Sequence, residues 1–193
     1  MITPLIPLNN FSIDSQGWLT HTRHLISPNY DERPVDTVID WLVIHCISLP
    51  PGEYGGPWID RLFTNTLDPN VHPYFREIYH LKVSTHVLIT RQGIITQYVS
   101  FHKRAWHAGV SSLQGRNRCN DFTIGIELEG TDTTTYELIQ YQVLAQLIQV
   151  LIAAYPSLST ERIVGHEHIA PGRKTDPGVG FDWNYLKKLL TIY

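Results

Sequence analysis

The chain has 193 residues, of which 42% are hydrophobic and 17% are charged. This composition is too apolar for a disordered protein, and the length suits one globular domain over residues 1–193. The formal net charge is −3, and no run of Lys and Arg exceeds two residues. Neither a nucleic-acid partner nor a polybasic membrane anchor is therefore predicted.

Cysteine content and the N-terminal segment bear on the cellular compartment. Two cysteines, Cys46 and Cys119, are too few for a secreted disulfide scaffold, and they favour reduced thiols over a single disulfide. Met1–Asn10 has no basic start and no sustained apolar core, so it lacks the pattern of an export signal. No apolar stretch approaches the ~20 residues needed to cross a bilayer. We therefore expect a cytoplasmic protein without membrane association.

The first half of the chain contains patterns for a strand, a helix and a hairpin. Trp41–Cys46 is a short, mainly apolar run typical of a buried strand, and it carries His45 near its C-terminal end. Pro57 follows a loop rich in Pro and Gly and suits the first turn of a helix. Thr85–Leu88 and Ile94–Val99 are predicted strands, joined by an Arg-Gln-Gly turn.

The second half continues the alternation of strands and helices. Phe122–Glu129 alternates strictly between apolar and polar or small residues, which predicts a strand. Apolar residues at helical spacing over 144–155 predict a long helix, which Pro156 ends. Thr134 and Glu137 resemble a capping box at its start.

The C-terminal quarter adds a short strand and a last helix. Arg162–Gly165 is a predicted strand leading into His166, and Asp182 suits the N-cap of a helix. Strands and helices thus interleave, while the hairpin excludes a purely parallel sheet. The predicted fold class is α/β, with one mixed sheet flanked by helices.

The segment Gly165–Gly178 concentrates groups that can bind a metal. It holds His166 and Asp176 between turn-forming Pro and Gly residues. A hydrolytic zinc site takes three protein ligands and leaves one position to water, and His45 could supply the third ligand. No local metal motif such as HExxH is present, so spacing leaves another interpretation open. In that alternative, His45 is a hydrogen-bonded core residue and Asp176 forms an Asp-Pro turn.

Four segments resemble the zinc-dependent N-acetylmuramoyl-L-alanine amidases, which are related to phage lysozyme-type amidases and peptidoglycan recognition proteins. They are IHCISLPPGEYGGPWIDRLF, HPYF, FHKRAWHAGVSSLQGRNRCNDFTIGIELEGTD and GHEHIAPGRKTDPG. They stand in the family's order from about Gly17 to Trp183, and are most similar to the cytoplasmic members that act on 1,6-anhydro-muropeptides. The resemblance implies that family's single-domain fold, with a core over about residues 17–183.

The resemblance also implies a role for individual residues. The family's zinc ligands correspond to His45, His166 and Asp176, and its catalytic glutamate and lysine correspond to Glu127 and Lys174. The glutamate would transfer protons and the lysine would support the charge of the oxyanion. Periodicity alone leaves Glu129 as a rival acid–base group, because it shares a strand face with Glu127.

Five further positions correspond to substrate-binding residues of the family: Tyr74, Lys82, Trp106, His107 and Arg118. Trp106 and His107 match a segment on the sugar side of the cleft, where an indole can stack on a sugar ring. Core packing is the alternative for Trp106. Arg118 offers a guanidinium to the carboxylates of a stem peptide, although Arg116 beside it is also available. Lys82 stands where the family has Arg.

A second departure from the family pattern lies beside the predicted metal ligands. Glu167 and His168 replace less ionisable residues and introduce a candidate extra ligand. On an extended chain, His168 would share a side with His166. We interpret His168 as a residue outside the ligand set, because Asp176 completes the three ligands.

The implied function is zinc-dependent hydrolysis of the amide bond between 1,6-anhydro-N-acetylmuramic acid and L-Ala of muropeptides during peptidoglycan recycling. We expect a monomer with a small-molecule substrate. An alternative is a non-catalytic muropeptide-binding module, since some relatives lose metal ligands, but here every ligand and catalytic position is filled. A third hypothesis keeps the ligands and places non-haem iron among them, because two histidines and a carboxylate also suit that metal.

Overall fold

The computed structural model describes residues 11–192. Within that range, ten strands and five helices form a main sheet, two small sheets and the helices around them. The strands are β1 (Arg23–His24), β2 (Tyr30–Glu32), β3 (Trp41–Ile47), β4 (Val87–Ile89), β5 (Ile95–Gln97), β6 (Lys103–Ala105), β7 (Ser112–Leu113), β8 (Arg116–Asn117), β9 (Thr123–Glu129) and β10 (Ile163–Gly165). The helices are α1 (Trp58–Phe63), α2 (Phe75–Ile78), α3 (Leu138–Ala154), α4 (His166–Ile169) and α5 (Trp183–Leu190).

The main sheet is mixed, which confirms the predicted architecture. Its strand order is β1-β5-β4-β9-β3-β10. Strands β4, β9, β3 and β10 run parallel to one another, whereas β5 pairs antiparallel with β4 in the predicted hairpin. That hairpin has shorter strands than the sequence predicts, beginning at Val87 and ending at Gln97.

Helices and loops cover both faces of this sheet. On one face, Leu42 and Ile44 of β3 pack in the same apolar cluster as residues of α3 and α5. On the other face, Trp41 and Val43 pack with loop residues and with Ile169 of α4. Central parallel strands are typically buried in this way, so the predicted polar face of β9 is buried as well.

The long helix α3 begins and ends close to the predicted positions, but its cap differs. Its N-cap is Glu137, whose backbone N–H donates to Oε1 of Gln140 at 3.0 Å. The hydroxyl of Thr134 instead lies 2.8 Å from that of Thr131. The predicted Thr134–Glu137 capping box is therefore wrong, because Thr134 belongs to the preceding turn.

The remaining predicted elements are present. α1 begins directly after Pro57, and the carboxylate of Asp182 caps α5 by accepting the backbone N–H of Tyr185 at 2.9 Å.

Cys46 and Cys119 carry no disulfide. Among residues 11–192, no helix combines the length and apolar character needed to cross a membrane. The expectation about Met1–Asn10 lies outside the described residues.

Candidate active site

The sheet brings the sequence-predicted residues together at the carboxyl ends of three parallel strands. His45 lies near the end of β3 and pairs in register with Glu127 of β9. On the other side of β3, β10 ends at Gly165, so the next residue, His166, enters the same region. This edge is where open α/β sheets commonly place their ligand sites.

Three potential metal donors converge there at nearly equal distances. Nδ1 of His45 lies 3.0 Å from Nδ1 of His166, and each nitrogen lies 3.1 Å from Oδ2 of Asp176. The two histidines are buried, and Asp176 is half-buried. Two imidazole nitrogens and one carboxylate oxygen form a donor set that fits a catalytic zinc ion.

At His45 and Asp176 the environment favours the protonation states that metal binding requires. Burial lowers the pKa of His45 to about 4, although Asp176 acts in the opposite direction. Burial alone would raise the pKa of Asp176, but its contacts with His166 and His45 outweigh that effect and hold the pKa below the usual range. Neutral imidazoles and an ionised carboxylate are the forms that bind metals.

The protein backbone fixes the orientation of His166. Its Nε2 lies 3.1 Å from the carbonyl oxygen of Ala108, which also accepts a hydrogen bond from the guanidinium of Arg173 at 2.7 Å. Because a carbonyl can only accept, Nε2 of His166 must carry the proton. Its Nδ1 therefore presents a lone pair toward Asp176.

Geometry separates the two glutamates that periodicity could not distinguish. Glu127 lines the cavity beside the three donors, and its buried Oε2 has no hydrogen-bond partner among the described residues. Burial and the charge of Asp176 raise the pKa of Glu127 well above its usual range, against the opposing effect of Lys174. Glu129 instead accepts backbone N–H groups of Gly55 at 2.5 Å and Arg91 at 3.0 Å.

A cavity of about 480 Å³ lies beside the three donors, and most of the predicted substrate-binding residues line it. Tyr74, Trp106 and His107 line it, as does the exposed Lys174. Lys82 is exposed and does not line the cavity, although both of its chain neighbours do. Arg118 lies elsewhere, exposed, with its Nε 3.4 Å from Oδ2 of Asp121.

Glu167 and His168, which depart from the family pattern, are not among the three converging donors of the described residues. Residues 166–169 form a helical turn, so His168 points away from His166 rather than alongside it. The imidazole of His168 is about half exposed and lies against Trp183. Glu167 accepts the backbone N–H of Gly178 at 3.1 Å. Among the described residues, Glu167 and His168 therefore add no fourth donor to His45, His166 and Asp176.

Sequence reasoning missed a group that orients Trp106. The indole Nε1 donates to Oδ1 of Asp31 at 3.2 Å, and Arg104 holds the same carboxylate through two hydrogen bonds of 2.5 and 2.6 Å. Asp31 lies 75 residues before Trp106, and no local pattern links the two. The antiparallel pairing of β2 with β6 places Asp31 opposite Arg104 and Glu32 opposite Lys103. This match of opposite charges could have indicated the contact, but only after the pairing of the two strands was known.

Comparisons with known proteins identify the family of the chain. The family model for N-acetylmuramoyl-L-alanine amidase matches residues 35–179. The 1,6-anhydro-N-acetylmuramyl-L-alanine amidase AmpD of Salmonella typhimurium (strain SL1344) is 58% identical over 180 residues, covering 93% of this chain and 96% of that protein.

Solved structures give the same result at the level of the fold. The crystal structure of a Se-Met AmpD derivative has a TM-score of 0.89 and 60% identity, covering 92% of this chain and 98% of the other. The E. coli amidase AmiD, in complex with anhydro-N-acetylmuramic acid-L-Ala-D-γ-Glu-L-Lys, has a TM-score of 0.57 and 29% identity, covering 92% and 65%. The family model spans well over half of the sequence, and the chain belongs to the N-acetylmuramoyl-L-alanine amidase family.

Proposed function

We propose that the protein hydrolyses the amide bond between 1,6-anhydro-N-acetylmuramic acid and L-Ala of muropeptides, as in peptidoglycan recycling. The observation that carries this proposal is the convergence of His45, His166 and Asp176 beside Glu127, inside one cavity. Relatives at 58% and 60% identity are 1,6-anhydro-N-acetylmuramyl-L-alanine amidases, which supports this substrate.

A zinc ion is the proposed cofactor, held by His45, His166 and Asp176. Two imidazoles and a carboxylate fit zinc and leave a coordination position open. When bound, zinc lowers the pKa of a coordinated water and polarises a carbonyl oxygen. The buried Oε2 of Glu127, which has no hydrogen-bond partner within residues 11–192, is available to groups that enter the cavity.

Glu127 is the proposed acid–base residue. Its carboxylate takes a proton from the attacking water and later gives that proton to the nitrogen of the leaving L-Ala. Burial raises the pKa of Glu127, which favours the second role, because the carboxyl group then keeps the proton it has taken up until the amine can accept it. No other residue lining the cavity combines burial, a free oxygen and this position beside His45 among the described residues.

Lys174 and the aromatic side chains supply the remaining proposed contacts. Lys174 lines the cavity two residues before Asp176, where its ammonium can support negative charge on the former carbonyl oxygen. Trp106 offers a flat apolar surface that suits a sugar ring, and Tyr74 lines the same cavity. Contacts of Lys82 and Arg118 with substrate stay predictions.

The decisive experiment combines metal analysis with hydrolysis of a defined anhydro-muropeptide. We expect Asp176→Ala to lose zinc and turnover together. Glu127→Gln should keep zinc and lose about 10²–10⁴-fold in kcat, the usual contribution of general acid–base catalysis. His168→Ala, near the site but directed away, is the matched control and should keep both. Zinc and full rate in Asp176→Ala would contradict the ligand assignment.

The same experiment separates the alternatives. A muropeptide-binding module would retain its function after metal removal, whereas the amidase would bind substrate but lose turnover. An iron enzyme would recover with Fe²⁺ rather than Zn²⁺. The cytoplasmic location, the monomeric state and the single domain over residues 1–193 stay predictions.

A further inference from the structure

A buried chain of hydrogen bonds runs from His45 away from the proposed metal site. Nε2 of His45 lies 2.9 Å from Nδ1 of His107, and Nε2 of His107 lies 3.1 Å from the hydroxyl of Thr123. That hydroxyl lies 2.8 Å from the carbonyl oxygen of Cys119. The side chains of His45, His107 and Thr123 are all buried, and the polar atoms of this chain have their partners within the protein.

The carbonyl at the end of the chain decides where each proton lies. Two oxygens 2.8 Å apart repel unless a proton lies between them, so the hydroxyl of Thr123 donates to Cys119. Having one proton, that hydroxyl can only accept from His107, which places the proton of His107 on Nε2. Nδ1 of His107 is then an acceptor, and His45 must carry its proton on Nε2.

This arrangement opposes the local preference of His45. The carboxylate of Asp176 lies 3.1 Å from Nδ1 of His45 and would by itself draw the proton to that nitrogen. A proton on Nδ1 would block the lone pair that faces His166 and Asp176. The hydrogen bond to His107 holds the proton of His45 on Nε2 and therefore leaves the lone pair of Nδ1 free to bind a cation.

We propose that His107, set by Thr123, is a positioning residue that fixes the metal-binding tautomer of His45. The sequence assigns His107 to substrate binding by resemblance, whereas its two ring nitrogens are both engaged within the protein. Gly125 makes room for this ring, because a Cβ there would lie 2.5 Å from Cγ of His107. The inference rests on the proposed metal site.

The first test uses the metal-free wild-type protein, so it does not depend on any variant folding. Long-range ¹H–¹⁵N NMR correlations distinguish the protonated from the unprotonated nitrogen of an imidazole. We expect His45 and His107 both to carry the proton on Nε2. A proton on Nδ1 of either residue would overturn the proposal, whatever the metal content or amidase activity of the protein.

The second test removes only the hydroxyl that sets the chain. Thr123→Val retains the shape of the side chain, and we expect it to weaken Zn²⁺ binding about 10–100-fold in competition with a chelator. Thr123→Ser keeps the hydroxyl and should restore both the affinity and the Nε2 tautomer. Equal Zn²⁺ affinity in Thr123→Val and wild type would refute the positioning role. Zinc binding without amidase activity would count against the proposed function alone.

Discussion

Acidification should destabilise the metal-free protein, because three imidazoles are buried in their neutral form. Burial lowers the pKa of His45 to about 4, and it also lowers the pKa of His86 and His107 well below the usual value. The unfolded chain binds a proton on each of these residues near pH 6.5, whereas the folded chain resists doing so. Stability therefore rises with pH between those limits.

The magnitude follows from the depressed pKa of His45. A drop from 6.5 to about 4 corresponds to about 3–4 kcal/mol of unfolding free energy, at about 1.4 kcal/mol per pKa unit. This contribution is fully present above pH 6.5 and is lost as the pH falls toward 4. About 2 kcal/mol of it is gone at pH 5.

Urea unfolding in the presence of a chelator measures this effect. We expect the destabilisation caused by His45→Asn to shrink by about 2 kcal/mol from pH 8 to pH 5, because Asn has no imidazole to protonate. His21→Asn is the matched control, at an exposed position whose φ of 57° Asn tolerates. A difference in unfolding free energy between wild type and His45→Asn that is independent of pH would refute the neutral burial of His45.

Four further outcomes are expected. Asp31→Ala should raise KM more than it lowers kcat in muropeptide hydrolysis, because Trp106 loses the acceptor that orients its indole. Leu147→Ala, in the core side of α3, should cost about 2–5 kcal/mol in urea unfolding, and an unchanged midpoint would contradict its full burial. Gly125→Ala should cost about 1–3 kcal/mol by crowding His107, with Zn²⁺ affinity falling in parallel. Chelation should abolish turnover and added Zn²⁺ should restore it; activity that survives chelation would exclude the metal mechanism.

The sequence predicts the frame of the site well because strand patterns are local. An apolar run ending near His45 and a strictly alternating run around Glu127 specify two strands, and parallel pairing then places both residues at one edge. Spacing alone could not predict the contact between Asp176 and His45, which lies 131 residues earlier, because the folded sheet brings the two side chains together. The family resemblance supplied what periodicity lacked.

Some features of the site could not be predicted from sequence periodicity, because they depend on which atoms lie next to each side chain in the folded protein. Glu127 and Glu129 have the same periodicity, and they differ because backbone N–H groups take up the carboxylate of Glu129. His168 shares a side with His166 on an extended chain but not in the helical turn that forms. The contact between Thr123 and His107 joins a strand to a loop through packing, so no sequence period marks it.

The two histidines of the proposed metal site are supported by different kinds of group. Nε2 of His166 hydrogen-bonds to the backbone carbonyl oxygen of Ala108, a group that every amino acid has. Nε2 of His45 instead hydrogen-bonds to the imidazole of His107. A point mutation at 108 that leaves the backbone in place keeps the first support, but any change at 107 alters the second. During divergence or laboratory evolution, position 107 is thus the adjustable support of this pair, and the support of His166 lies largely beyond the reach of side-chain substitution.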